Sequence, residues 1–119
     1  MRAMRPRVLF VCALNQWRSP TVEALYRDDP RIEVRSAGIR TGARRRVTAA
    51  ELEWADLVLV MEREHKRWIQ DQFCDRPLPR LEVLDIPDEY GRMDVELQEL
   101  LRAAIEPEIQ RLTRRSAGE

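Results

Sequence analysis

The stretch "RVLFVCALNQWRSPTVEALYRD", residues 7–28, decides how the rest of the chain is read. It opens with a continuous apolar run, 7–12, which predicts a strand buried on both faces of a parallel sheet. A short polar loop follows. The segment 19–28 then reads as a helix, with Ser19 as its cap, Pro20 in the first turn where a missing N–H costs nothing, and Val22, Leu25 and Tyr26 on one face. Strand, loop and helix N-terminus in that order are the beginning of an α/β unit.

The same alternation continues outward. Residues 31–38 predict a second strand ending at Gly38, and 39–47 a basic loop. In "TAAE", 48–51, Thr48 and Glu51 have the spacing of a capping box ahead of a short helix. "LVLVM", 57–61, reads as a third strand, 62–73 as a charged helix with Trp68, Ile69 and Phe73 inward, and 81–86 as a fourth strand. The last helix begins near Asp94, shows Leu97, Leu100, Leu101, Ala104, Ile105, Ile109 and Leu112 at three- and four-residue steps, and contains Pro107, which predicts a kink or a break. Strands alternating with helices predict a single α/β domain over 1–119, with a four-stranded parallel sheet flanked by helices. In such sheets ligands sit beyond the carboxyl ends of the strands, near the switch point. That is where Cys12 falls.

The totals narrow the options. The 119 residues suit one domain, and 21 basic against 21 acidic residues leave no overall field toward nucleic acid or membrane. No apolar run is long enough to span a bilayer. The opening "MRAMRPRVLFVCALNQWR" imitates a signal peptide, but no small-residue cleavage site follows and Arg18 interrupts it, so a cytoplasmic location is expected. Two cysteines and one histidine are too few for a disulfide framework or a zinc site, and no metal or cofactor is expected.

Cysteine followed six positions later by arginine is a weak signal here. With 20 arginines in the chain, such a match arises by chance roughly one time in six. Cys74 and Arg80 match it as well. The two differ in physics. A phosphate cradle needs several inward-pointing N–H groups and a helix N-terminus. Between Cys74 and Arg80, Pro77 and Pro79 have no N–H, and a strand follows. Between Cys12 and Arg18 every residue can donate, and a helix follows.

The amides of Ala13, Leu14, Asn15, Gln16, Trp17, Arg18 and Ser19 can therefore surround the oxygens of a phosphoryl group. Arg18 can bond two of them through its planar fork. The same groups favour the thiolate of Cys12, the nucleophilic form, and attack on phosphorus gives a phosphocysteine. The leaving oxygen needs a proton. Asp85 is placed to supply it, with Asp88 as the rival, and Tyr90 can line the mouth and stack on an aromatic substrate. Trp17 divides between substrate wall and packing.

With these residues in view, the stretch resembles the phosphate-binding loop of the low-molecular-weight protein tyrosine phosphatases, which reads C-x-x-N-x-x-R-S-P after an apolar strand. Cys12, Asn15, Arg18, Ser19 and Pro20 match. "SAG" at 36–38, "VME" at 60–62 and "LDIPDEY" at 84–90 resemble later landmarks of a compact bacterial branch. The resemblance implies the flavodoxin-like phosphotyrosine phosphatase I fold and hydrolysis of phosphotyrosine without a cofactor. It assigns Cys12 as nucleophile, Arg18 as phosphate clamp, Asp85 as general acid, and Asn15, Ser19 and Ser36 as supports of the loop. The implied partner is a phosphotyrosine protein or small aryl phosphate, and the chain is expected as a monomer or weak homodimer. Three positions depart from the pattern: Leu14 stands for the usual glycine, Trp17 for a second cysteine, and Asp-Ile-Pro-Asp for Asp-Pro.

Two other readings remain. An arsenate reductase would use the same loop but needs a resolving cysteine, and only Cys74 is present. A phosphate-binding module would keep the cradle without a working acid. His65 reads as a solvated helix residue, Trp54 and Trp68 as core or half-buried, and the arginines at 44–46 as a solvated loop that can favour acidic phosphopeptides.

Overall fold

The structure is a computed structural model that describes residues 5–118 except 16, 17, 88 and 92, with side chains through 114. Its elements are β1 (Arg7–Cys12), α1 (Arg18–Tyr26), β2 (Glu33–Gly38), α2 (Ala49–Trp54), β3 (Leu57–Val60), α3 (Arg63–Gln72), β4 (Arg80–Val83) and α4 (Val95–Gly118). The four strands form one sheet in the order β2-β1-β3-β4. Every pairing is parallel.

The apolar run of β1 is divided by the strand's period of two. Val8, Phe10 and Cys12 face one core, and Leu9 and Val11 the other. β3 does the same, with Leu57, Leu59 and Met61 opposite Val58 and Val60. Val22 and Tyr26 of α1 and Leu97, Leu101, Ile105 and Ile109 of α4 close the first face. Leu52 of α2 and Ile69 of α3 close the second. A strand buried on both sides needs helices on both sides, which explains why 7–12 is apolar without interruption.

The chain leaves β1 toward β2 and later crosses to β3 on the other side of β1. The switch point thus lies at the carboxyl end of β1, and Cys12 stands there, paired in register with Gly38 of β2.

Four expectations about local structure change. The first helix begins at Arg18, so Ser19 lies inside its first turn instead of capping it, while Pro20 stays in that turn as expected. Pro20 is still tolerated, because first-turn N–H groups have no intrahelical partner. Thr48 caps α2 by accepting from the Glu51 amide at 3.4 Å, but Glu51 does not complete the box, and its Oε1 is buried without a partner among the described residues. β4 stops at Val83, leaving Asp85 two residues beyond the strand. α4 runs through Pro107 without a break. Its apolar stripe packs before and after the proline, and that packing holds the helix where the lost hydrogen bond alone would not.

Candidate active site

Strand geometry brings Cys12 to the top of β1, and the following loop turns back over it. The turn requires a left-handed residue, and that residue is Asn15, with φ 55°. Asparagine visits this region more readily than most side chains. Leu14 is not among the positive-φ residues, which removes the conformational objection to a bulky side chain in place of glycine.

Asn15 also orders the polar groups. It is buried, and its Nδ2 donates to Ser19 Oγ at 2.9 Å and to Ser36 Oγ at 3.0 Å. Each hydroxyl then has its lone pair engaged and its own proton to place. Ser36 donates to Glu23. Ser19 Oγ lies 3.0 Å from Cys12 Sγ and 3.5 Å from the Ala37 carbonyl. Either atom of the Ser19–Cys12 pair can be the donor, and the hydroxyl has the sulfur and the Ala37 carbonyl as acceptors within reach. The helix position that displaced Ser19 from its expected capping role is what lets it reach Cys12.

Arg18 is 2% exposed. Its Nη1 makes an ion pair with Glu62 Oε2 and donates to the Ile86 carbonyl at 2.8 Å. One side chain thus joins α1 to the N-cap residue of α3 and to the segment after β4. Glu62 is in turn placed by His65, whose Nδ1 accepts from the Glu62 amide at 3.2 Å. His65 is buried, contrary to the solvated position expected from its charged neighbours in sequence. Burial, reinforced by the Arg18 guanidinium, lowers its pKa from 6.5 and keeps it neutral. A histidine whose pKa is lowered by folding favours the native state above its unfolded value and penalises it below. Stability is therefore expected to fall as pH drops below 6.5, and His65→Asn, which keeps an acceptor near the Nδ1 position, should flatten that decline in thermal melts across pH. An unchanged slope would refute this assignment.

Asp85 is exposed and has φ 60°, a bend that sends the chain to Ile86, whose amide returns to the Met61 carbonyl at 2.9 Å. It lines an open cleft of about 510 Å³ together with Glu62, Arg63, Glu64, Ile86 and Pro87. Tyr90 is half-buried against the core cluster that contains Cys12, and its hydroxyl donates to Glu96 at 3.5 Å. Gln16, Trp17 and Asp88 lie outside the described residues, and their expected roles go with them. Among the described residues no group of three metal-ligating side chains occurs.

Gly38 explains how closely the second strand approaches the loop. A Cβ there would stand 2.7 Å from the Ala13 carbonyl oxygen and 2.9 Å from the Asn15 amide nitrogen. Both are backbone, so the cradle itself would have to move. Gly38→Ala is expected to cost about 1–3 kcal/mol in chemical denaturation and to lower activity. Gly91→Ala, with nothing within 4 Å, should be near neutral.

Two residues that position Arg18 escaped the sequence reading. Glu62 and His65 are three apart around a helix start, and only the capping geometry at that site could have flagged them. The competing Cys74–Arg80 match is resolved by topology. Cys74 is exposed in the turn after α3, at the amino ends of the strands, while Cys12 is at the carboxyl ends. The sheet separates them by roughly 13–20 Å at 3.3 Å per residue, too far for a disulfide.

No protein-family model and no curated protein sequence matches the chain. Solved structures do. The YwlE arginine phosphatase from Geobacillus stearothermophilus is 27% identical, with a TM-score of 0.64 over 92% of this chain and 92% of its own. The tyrosine phosphatase Wzb from Escherichia coli K30, solved with phosphate, is 24% identical, with a TM-score of 0.71 over 92% of this chain and 99% of its own. SP-PTP, a low molecular weight protein tyrosine phosphatase from Streptococcus pyogenes, is 16% identical, with a TM-score of 0.73 over 90% of this chain and 93% of its own. The sheet order, the cysteine at the switch point and these alignments along nearly the whole chain agree: this protein has the fold of the low-molecular-weight protein tyrosine phosphatases and is a structural relative of that family.

Proposed function

We propose that the chain is a cysteine-dependent phosphatase that hydrolyses aryl phosphate monoesters, phosphotyrosine in proteins foremost, through a phosphocysteine. The observation that carries this reading is the Asn15–Ser19–Cys12 chain of hydrogen bonds at the carboxyl end of the middle strand. It can give the sulfur a hydrogen-bond donor and ties the loop to the start of α1.

In the reaction, Cys12 Sγ attacks phosphorus and the bond to the leaving oxygen breaks. That oxygen takes a proton from Asp85 or Asp88. Water then attacks the phosphocysteine, giving its proton to the same carboxylate, and inorganic phosphate leaves with the thiolate restored. Tyr90, half-buried against the core cluster that contains Cys12, is the candidate aromatic wall for an aryl substrate. The 27% identity with an arginine phosphatase supports a second substrate, phosphoarginine.

The test is turnover of matched phosphotyrosine and phosphoarginine peptides and of two aryl phosphates, by wild type, Asp85→Asn and Asp88→Asn. Asparagine tolerates the left-handed bend at 85, so Asp85→Asn isolates the proton. Loss of the acid should reduce kcat about 100-fold for phenyl phosphate and far less for p-nitrophenyl phosphate, whose leaving group needs no proton. The same loss in Asp88→Asn alone moves the acid there. Slow turnover unaffected by either variant would leave a phosphate-binding module, and turnover of phosphoarginine alone would replace the substrate.

A further inference from the structure

The loop between β2 and α2 carries four arginines within residues 40–46, all exposed. It is bound to the cradle, not merely near it. The Arg40 amide donates to the Ala13 carbonyl at 2.9 Å, and the Arg44 amide to the Leu14 carbonyl at 3.1 Å. Beside it lies a cleft of about 340 Å³ lined by Ile39, Arg40, Thr41, Arg46, Glu64 and Trp68. The Arg46 guanidinium stands 5.5 Å from the centre of the Trp68 ring, which holds it at the rim. Arg40 reaches Glu64 only at 3.7 Å, with both side chains more than half exposed, a weak and screened pair that a better-placed carboxylate can displace.

We infer that this cleft is a subsite for an acidic side chain flanking the phosphorylated residue of a peptide substrate. The carboxylate is taken by Arg40 and Arg46 with the Thr41 hydroxyl, and its methylenes lie on Ile39 and Trp68. The inference rests on the phosphatase reading of the Cys12 loop. Two observations favour a peptide carboxylate over a long polyanion. The formal net charge is zero, so no overall field gathers polyanions. The segment following β4 presents Asp85 and Glu89, both exposed, which would repel a polyanion spread from the cleft across to that segment.

The experiment compares phosphotyrosine peptides whose flanking residues are either glutamate or glutamine, with p-nitrophenyl phosphate as the substrate that has no flanking residue. Wild type should show a preference in kcat/KM of about fivefold for the glutamate peptide, erased by high salt. The double variant Arg40→Gln, Arg46→Gln should lose the preference and keep its p-nitrophenyl phosphate activity. Glu64→Gln, which frees Arg40, should enlarge the preference and decides the matter if the double variant folds poorly. Equal rates on the two peptides in wild type, or a preference that survives the double variant, overturn the subsite while p-nitrophenyl phosphate turnover leaves the phosphatase reading intact. No turnover of any substrate overturns both.

Discussion

Cys12→Ala is expected to reduce aryl phosphate hydrolysis by on the order of 10⁵-fold, to the limit of detection. The sulfur forms the only covalent bond to phosphorus in the proposed reaction, and no neighbouring side chain can take its place. Ser19 is 3.0 Å away, but its hydroxyl is committed between Asn15 and the sulfur and lacks a base. Cys74 is at the other end of the sheet. The fold should survive the change, because the site is buried and alanine fits the volume; about 1 kcal/mol for the lost hydrogen bond is the expected cost. Cys12→Ser gives a complementary result. The hydroxyl occupies the sulfur's place and preserves the cradle, yet it is a poor nucleophile without a general base. Phosphopeptides should therefore bind to that variant without being turned over. Rapid acid quench of wild type with substrate, followed by mass spectrometry, should show one added phosphoryl group, absent in the alanine variant. Substantial activity in Cys12→Ala would end the covalent mechanism.

Arg18→Lys should reduce kcat/KM about 10²–10³-fold, the loss of one or two charge-assisted hydrogen bonds in the transition state. Lysine keeps the charge but not the planar fork. It also cannot reproduce the contact with both Glu62 and the Ile86 carbonyl, which hold the guanidinium in place. The larger share of the loss is expected in kcat, because a misplaced ammonium still attracts phosphate while stabilising the transition state poorly. Arg18→Ala adds a stability penalty of about 3–5 kcal/mol at most, since Glu62 loses its partner, a figure reduced by the partial exposure of that carboxylate. Equal kcat in wild type and Arg18→Lys would show that charge alone suffices.

Most of the fold was legible because it is written in local periodicity. The division of Val8, Phe10 and Cys12 from Leu9 and Val11 follows from the strand's period, and the four-residue stripe of α4 from the helix's. The order strand, loop, helix around Cys12 was legible for a related reason: it is a property of consecutive residues. What escaped was set by contacts between distant segments. Nothing near His65 in sequence indicates that it is buried within the electrostatic reach of Arg18, 47 positions away. The end of β4 was placed too late because "LEVLDI" is apolar beyond the point where β3 can pair with it. Serine before proline usually caps a helix, but here the sulfur seven residues earlier competes for its hydroxyl. Leu14 raised doubt only while the left-handed residue was unplaced, and Asn15 carries that burden.

The stripe of Leu97, Leu101, Ile105 and Ile109 has a consequence for the order of folding. These residues cover the same face of the sheet as α1, and Val8, Phe10 and Cys12 of the first strand pack into that cluster. β1 is therefore sealed by a helix about 90 residues further along the chain. During synthesis the sheet can gather α2 and α3 on its other face early, but the face that holds Cys12 is covered by α1 alone until residues past Ile109 have emerged. The slow step of folding should then be the docking of α4, a contact of high sequence separation, and activity should return in step with it instead of with formation of the sheet.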